Sequence, residues 1–280
     1  MVTRSPSSDL LLIAEKLSVF YLADLEGTIL GKYSTENQSA RRPRLEFAAP
    51  VLLGGNRVGG LATFRPLDGG PATAGLVAAA LEGDGWQGPW TTVDVRDRSF
   101  VAYTLDPRMV TATRDGLVLL ATGDTHELRW VAGEALRTIP LRIGELDAFP
   151  KNLRPGPSAM GPVYQALRAL RLPVGVYWDR SDLFVLVASP APGGSGRLWE
   201  LVAVDPGSGR AKRRFTLPTT ADELGISPGA DHWILLEKQI LGVEGTPRAG
   251  SALLIPATWF HETASPLTGG SSDPAVRCGP

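Results

Sequence analysis

The stretch Val174–Pro218, VGVYWDRSDLFVLVASPAPGGSGRLWELVAVDPGSGRAKRRFTLP, constrains the fold more than any other part of the chain. Val174–Tyr177 is a short apolar run that stops at the polar cluster Trp178-Asp179-Arg180-Ser181-Asp182. Leu183–Ala188 is apolar at every position and rich in β-branched and aromatic residues, the pattern of a strand buried on both faces. Leu198–Val204 follows a Pro/Gly/Ser loop, and Asp205-Pro206-Gly207-Ser208-Gly209 then turns the chain sharply, because proline presets φ and glycine tolerates positive φ. In the fourth run, Ala211–Leu217, period-two alternation places Ala211, Phe215 and Leu217 on one face and Lys212, Arg214 and Thr216 on the other. Apolar content falls and charge rises from the second run to the fourth. That gradient suits a radial blade, whose inner strands are packed between neighbours and whose outer strand must resist pairing with other chains. An ordinary antiparallel meander in a sandwich satisfies the same pattern.

Internal copies bear on that choice. Turn-plus-strand pieces like Trp178–Ala188 recur at Arg114–Thr122 and Gly229–Glu237, and hairpins like Leu198–Leu217 recur at Val19–Tyr33 and Leu128–Leu141. Repetition of a four-stranded module at roughly 40–50 residues is the mark of a propeller. Leu45–Phe64 reads as another hairpin around Gly54-Gly55-Asn56-Arg57, because no helix pattern follows those glycines as a dinucleotide site would require. Ala74–Leu81 and Thr91–Val95 read as further strands, and the module Phe100–Leu141 precedes the Val174 stretch.

On SDLLLIAEKLSVFYLADLEGTILGKYS at Ser8–Ser34 and on the Val174–Pro218 module, the chain resembles the NHL-like six-bladed β-propeller proteins of bacteria. The legible modules and the resemblance together give the expected fold class, all-β, a β-propeller of about five to six four-stranded antiparallel blades with one short helical insertion. The resemblance supplies no catalytic residues. The family mixes binding, scaffolding and a few enzymes, so it speaks to fold more than to activity. The expected organisation is a flexible lead-in over 1–8, a propeller over 9–260 with the helical insertion at 157–171, and a disordered tail over 261–280. The first module reads as three strands, Leu10–Ala14, Leu17–Ala23 and Thr28–Lys32, lacking an innermost strand that the C-terminal region would supply. About five modules are legible where the resemblance implies six, which points to an open ring, a five-bladed ring or a blade lost from the N-terminus.

Composition narrows the function classes. A net charge of −1 over 280 residues offers no bulk electrostatic attraction to nucleic acid or to an anionic membrane. No run approaches the ~18 apolar residues of a spanning helix. Gly 32 and Pro 23 serve as turn punctuation in a repeat-rich chain, and the single cysteine, Cys278, excludes an intramolecular disulfide. The N-terminal residues show no small-residue cleavage site, so no signal peptide is read and the chain itself points to the cytoplasm. The family resemblance implies export instead.

Signals for chemistry are sparse. His126, His232 and His261 fall in different modules without metal-ligand spacing, and there is no Gly-x-Ser-x-Gly elbow. Asp106, Asp115, Asp179, Asp205 and Asp231 fall in turns, where aspartate accepts backbone hydrogen bonds. No catalytic residue, metal site or cofactor is therefore assigned. The basic connector around Arg41, Arg42 and Arg44 reads as a solvated loop. Trp86 and Trp90 flank a Gln87-Gly88-Pro89 turn, and the insertion Pro162–Arg171 has proline at a first helical position with Val163, Leu167 and Leu170 at helical spacing. The candidate binding residues are Tyr164, Arg168, Arg171, Trp178, Trp86 and Trp90. The expected function is a non-catalytic propeller presenting rim loops to a protein or peptide partner. The alternative is a metal-supported, lactonase-like propeller hydrolase or lyase.

Overall fold

A computed structural model gives the architecture; it describes residues 2–4, 10–16, 19–34, 45–53, 57–64, 73–81, 86–93, 107–133, 135–150, 166–192, 196–238, 240–241, 246–247, 250–262 and 276–278. The chain is all-β, and its described strands form five four-stranded antiparallel sheets and one two-stranded ribbon. Two compact units divide it, residues 1–121 with 127–139 and residues 122–126 with 140–280.

The first unit holds three sheets. They comprise β1 (Val2–Arg4), β2 (Leu10–Lys16), β3 (Val19–Asp24) and β4 (Ile29–Ser34); β5 (Leu45–Leu53), β6 (Arg57–Phe64), β7 (Thr73–Ala80) and β8 (Trp86–Val93); and β9 (Val110–Ala112), β10 (Gly116–Ala121), β11 (Glu127–Ala132) and β12 (Ala135–Pro140). Each strand pairs with its neighbour in sequence. β5 packs against β1, β2 and β9, so the opening strands of these three sheets lie close together. Phe20 of the first sheet meets Phe47 of the second edge-on, with ring centroids 5.8 Å apart, inside a cluster that also buries Leu12, Leu52 and Val58. β10 is buried through its centre, whereas β12 is largely exposed and β4 half-exposed.

The second unit holds the fourth and fifth sheets, β13 (Leu172–Asp179), β14 (Asp182–Pro190), β15 (Arg197–Val204) and β16 (Ala211–Thr216), then β17 (Glu223–Ser227), β18 (His232–Lys238), β21 (Ser251–Pro256) and β22 (Val276–Cys278). The ribbon β19 (Ile240–Leu241) with β20 (Thr246–Pro247) lies in sequence between β18 and β21. The short helix α1 (Ala257–Glu262) follows β21 directly. Continuous apolar character in Leu183–Ala188 produces a strand buried on both faces, as its pattern requires. β13 and β14 meet through a two-residue turn in which Arg180 adopts a φ of 55°. That conformation costs a non-glycine residue about 1–2 kcal/mol, and the Arg180 guanidinium donates to the Ala230 carbonyl at 3.1 Å from the turn.

Several expectations need correction. Val2–Arg4, expected in a flexible lead-in, pairs antiparallel with Leu11–Ile13 as the opening strand of the first sheet. Two β-branched residues, Val2 and Thr3, favour extended backbone, but three residues are too few to show a period. The first sheet therefore takes its opening strand from its own N-terminal residues, not from the C-terminal region. Residues 261–280 are likewise not a featureless tail: His261 and Glu262 finish α1, and Val276–Cys278 pairs with Ala252–Leu254. The Gln87-Gly88-Pro89 segment is not a turn between strands but lies within β8. There Leu76 pairs with Thr91 and Ala78 with Gln87, so Gly88, Pro89 and Trp90 bulge opposite Val77. Proline has no N–H for the ladder, which is why the irregularity falls there. A second bulge, at Lys212, shifts the parity of β16: Ala203 pairs with Arg213 and Val204 with Ala211. Ala211 is therefore exposed rather than on the buried face of Phe215. Of the helical insertion, residues 166–168 are helical and residues 157–165 lie outside the described residues.

Candidate functional site

The sequence-selected residues do not converge. Tyr164 lies outside the described residues, and Trp86 and Trp90 lie on β8 in the first unit. In the second unit Arg168 and Arg171 precede β13, whereas Trp178 pairs with Leu183 at its far end. Arg171 and Trp178 are seven positions apart on extended chain, about 23 Å at ~3.3 Å per residue.

Both arginines are committed to internal partners. Arg168 forms an ion pair with Asp222. The Arg171 guanidinium donates to Glu200 Oε2 and to the Glu145 carbonyl, each at 2.5 Å, while its backbone N–H donates to Asp147 Oδ2 at 2.7 Å. Arg214 approaches the other Glu200 oxygen at 3.8 Å and donates to the Ile143 carbonyl. His126 is buried, and its Nε2 lies 2.8 Å from the Asp147 carbonyl. A carbonyl can only accept, so that nitrogen carries the hydrogen. These groups stitch the segment Leu141–Phe149 onto β13, β15 and β16, with further backbone bonds from Leu141 N–H to His126 and from Phe149 N–H to Gly123.

Arg197 performs a comparable task at the same end of β15. Nearly buried, it donates to the carbonyls of Leu167, Leu170 and Ala188 at 3.1–3.3 Å and stacks over Trp199 at 5.6 Å. Trp199 Nε1 in turn donates to the Ala221 carbonyl at 2.8 Å. The helical turn before β13 is thus anchored through the carbonyls at its end, the groups a helix terminus leaves unsatisfied.

A further polar cluster among the described residues joins positions with no common signature in the sequence. At the opposite end of the fourth sheet, His261 of α1 inserts between Asp179 and Asp182, the residues flanking the β13–β14 turn. His261 Nε2 stands 2.8 Å from Asp179 Oδ2 and Nδ1 stands 3.5 Å from Asp182 Oδ2. Trp233 Nε1 donates to the same Asp179 oxygen at 3.1 Å. Arg213 donates to Asp182 at 2.9 Å and to the His261 carbonyl at 3.0 Å. Beneath this polar layer Phe260, wholly buried, contacts Trp233, Trp259 and Phe215 with centroids 4.4, 4.9 and 5.4 Å apart, and Phe184 meets Trp233 at 5.0 Å. Both imidazole nitrogens face carboxylate oxygens, so the cluster ties α1 to the β13–β14 turn. The available signal was the run Trp259-Phe260-His261 directly after a strand, in a region that looked like the start of a tail.

Asp205 closes the β15–β16 turn. Its Oδ1 accepts from the Ser208 hydroxyl and N–H at 2.8 Å each and from the Gly207 N–H at 3.1 Å. These bonds, the Ser208 hydroxyl foremost, hold its carboxyl below the usual 3.8. Gly209, at φ 68°, completes the turn by donating to the Asp205 carbonyl. Among the described residues no three His, Cys, Asp or Glu side chains are placed to hold a metal ion, and no helix is long and apolar enough to cross a membrane.

One face stands apart. β18 alternates strictly: Trp233, Leu235 and Glu237 are buried, while Ile234 is 39 % and Leu236 51 % exposed. By register Leu236 lies between Gly225 and Ala252, and Ile234 between Ser227 and Leu254. The fifth sheet therefore exposes Ile234 and Leu236 on one face, beside Gly225, Ser227, Ala252 and Leu254 of its flanking strands. No protein-family model and no curated protein matches the chain.

Proposed function

We propose that this chain is a propeller-type binding module, its four-stranded sheets serving as blades, that captures a protein or peptide partner on the outer face of the fifth sheet. The blade assignment is supported by the pairing of consecutive strands in four of the four-stranded sheets and by the fall in burial from β14 to β16 in the fourth. One observation carries the binding assignment: Ile234 and Leu236 project to solvent from a strand whose alternate residues are fully buried. Contiguous exposed apolar surface of this kind marks interaction sites. The rim arginines Arg168 and Arg171 shape the scaffold in this reading, since their charges are already matched internally.

The test compares wild type with the double variant Ile234→Thr, Leu236→Thr, which keeps β propensity and leaves the buried face untouched. Both are used as bait for crosslinking in cells, and both are melted by circular dichroism. Partners captured by wild type and lost by the double variant, at matched melting temperature, support the proposal. An identical capture profile for the two proteins refutes it.

A further inference from the structure

We draw no further inference here: the strongest candidate, the exposed apolar patch of Leu25, Ile29 and Leu30 on the β3–β4 hairpin of the first sheet, carries none because nothing in the structure shows what covers it.

Discussion

Replacing Phe260 with alanine tests the docking of α1 in depth. The ring is fully buried among Phe184, Phe215, Trp233 and Trp259, and it comes from a helix of only six residues that follows β21. So short a helix has little stability of its own, so its order must come from packing. Truncating a buried phenylalanine to alanine costs about 3–5 kcal/mol, combining lost transfer energy with the cavity left behind. A unit of this size loses about 2–4 °C of melting temperature per kcal/mol, so a drop of roughly 6–20 °C is expected. Trp233 and Trp259 both contact the ring, so the near-ultraviolet dichroism should weaken in the same variant before the melt begins. Phe260→Leu, which keeps most of the volume, should recover at least half of the loss. A Phe260→Ala melting point within 2 °C of wild type, with unchanged tryptophan dichroism, would show that α1 is not held by this cluster and would refute the reasoning.

Other perturbations probe the polar layer and the turns. His261→Ala removes the group facing Asp179 and Asp182 and should cost about 1–3 kcal/mol, the penalty for leaving largely buried acceptors short of donors; chemical denaturation measures it, and an unchanged midpoint would mean the clamp is solvated. The Asp205 carboxyl is depressed in the folded chain, so its contribution to stability is fully present above the unfolded value of 3.8 and is lost as pH falls through the lower folded value. Ser208→Ala removes the largest cause of that depression, so the Asp205 titration followed by carboxyl NMR should move upward toward 3.8. Gly196 sits at φ 76° with its open side against the Thr220 carbonyl, so Gly196→Ala should destabilise by more than about 1 kcal/mol, which a urea titration resolves. Arg171→Met should lower the melting temperature by about as much as Glu200→Gln. In the double variant the losses should fall short of their sum, because the Arg171–Glu200 bond is common to both, while the Arg171 bond to the Glu145 carbonyl and the Glu200 contact with Arg214 are each lost only once.

The fourth sheet was legible because its signals are long and redundant. Leu183–Ala188 is apolar without interruption, and Asp205-Pro206-Gly207-Ser208-Gly209 permits little besides a turn. The pairing beside the turn, Val204 opposite Ala211, follows from that turn, whereas Leu201 opposite Phe215 depends on the bulge at Lys212. What escaped detection was either too short or too distant. β1 and β22 contribute three residues each, below the length at which alternation can be told from chance. Lys212 looks like any outer-strand lysine, and only the pairing reveals the bulge that exposes Ala211. Arg180 occupies a left-handed turn position that glycine or asparagine would have announced. The clamp joins residues 79 to 82 positions apart, Asp182 and Asp179 to His261, and such convergence has no local signature. The same limit applies to the candidate binding surface: Arg168 and Arg171 are matched internally, and the exposure of Ile234 and Leu236 is set by the strands that flank β18, of which β21 pairs only across the β19–β20 excursion.

The pairing of consecutive strands in the first four sheets also bears on how quickly the chain finds its fold. β13 to β16 meet across turns of a few residues, so each hairpin closes with little loop entropy and can zip onto the one before it. The fifth sheet breaks that rule, because β18 waits for β21 across the β19–β20 excursion and β21 waits for β22 across α1 and the residues after it. Pulse-labelled hydrogen exchange should therefore find β14 and β15 protected first and β21 last, leaving the apolar strand β18 without one of its neighbours for longest during refolding.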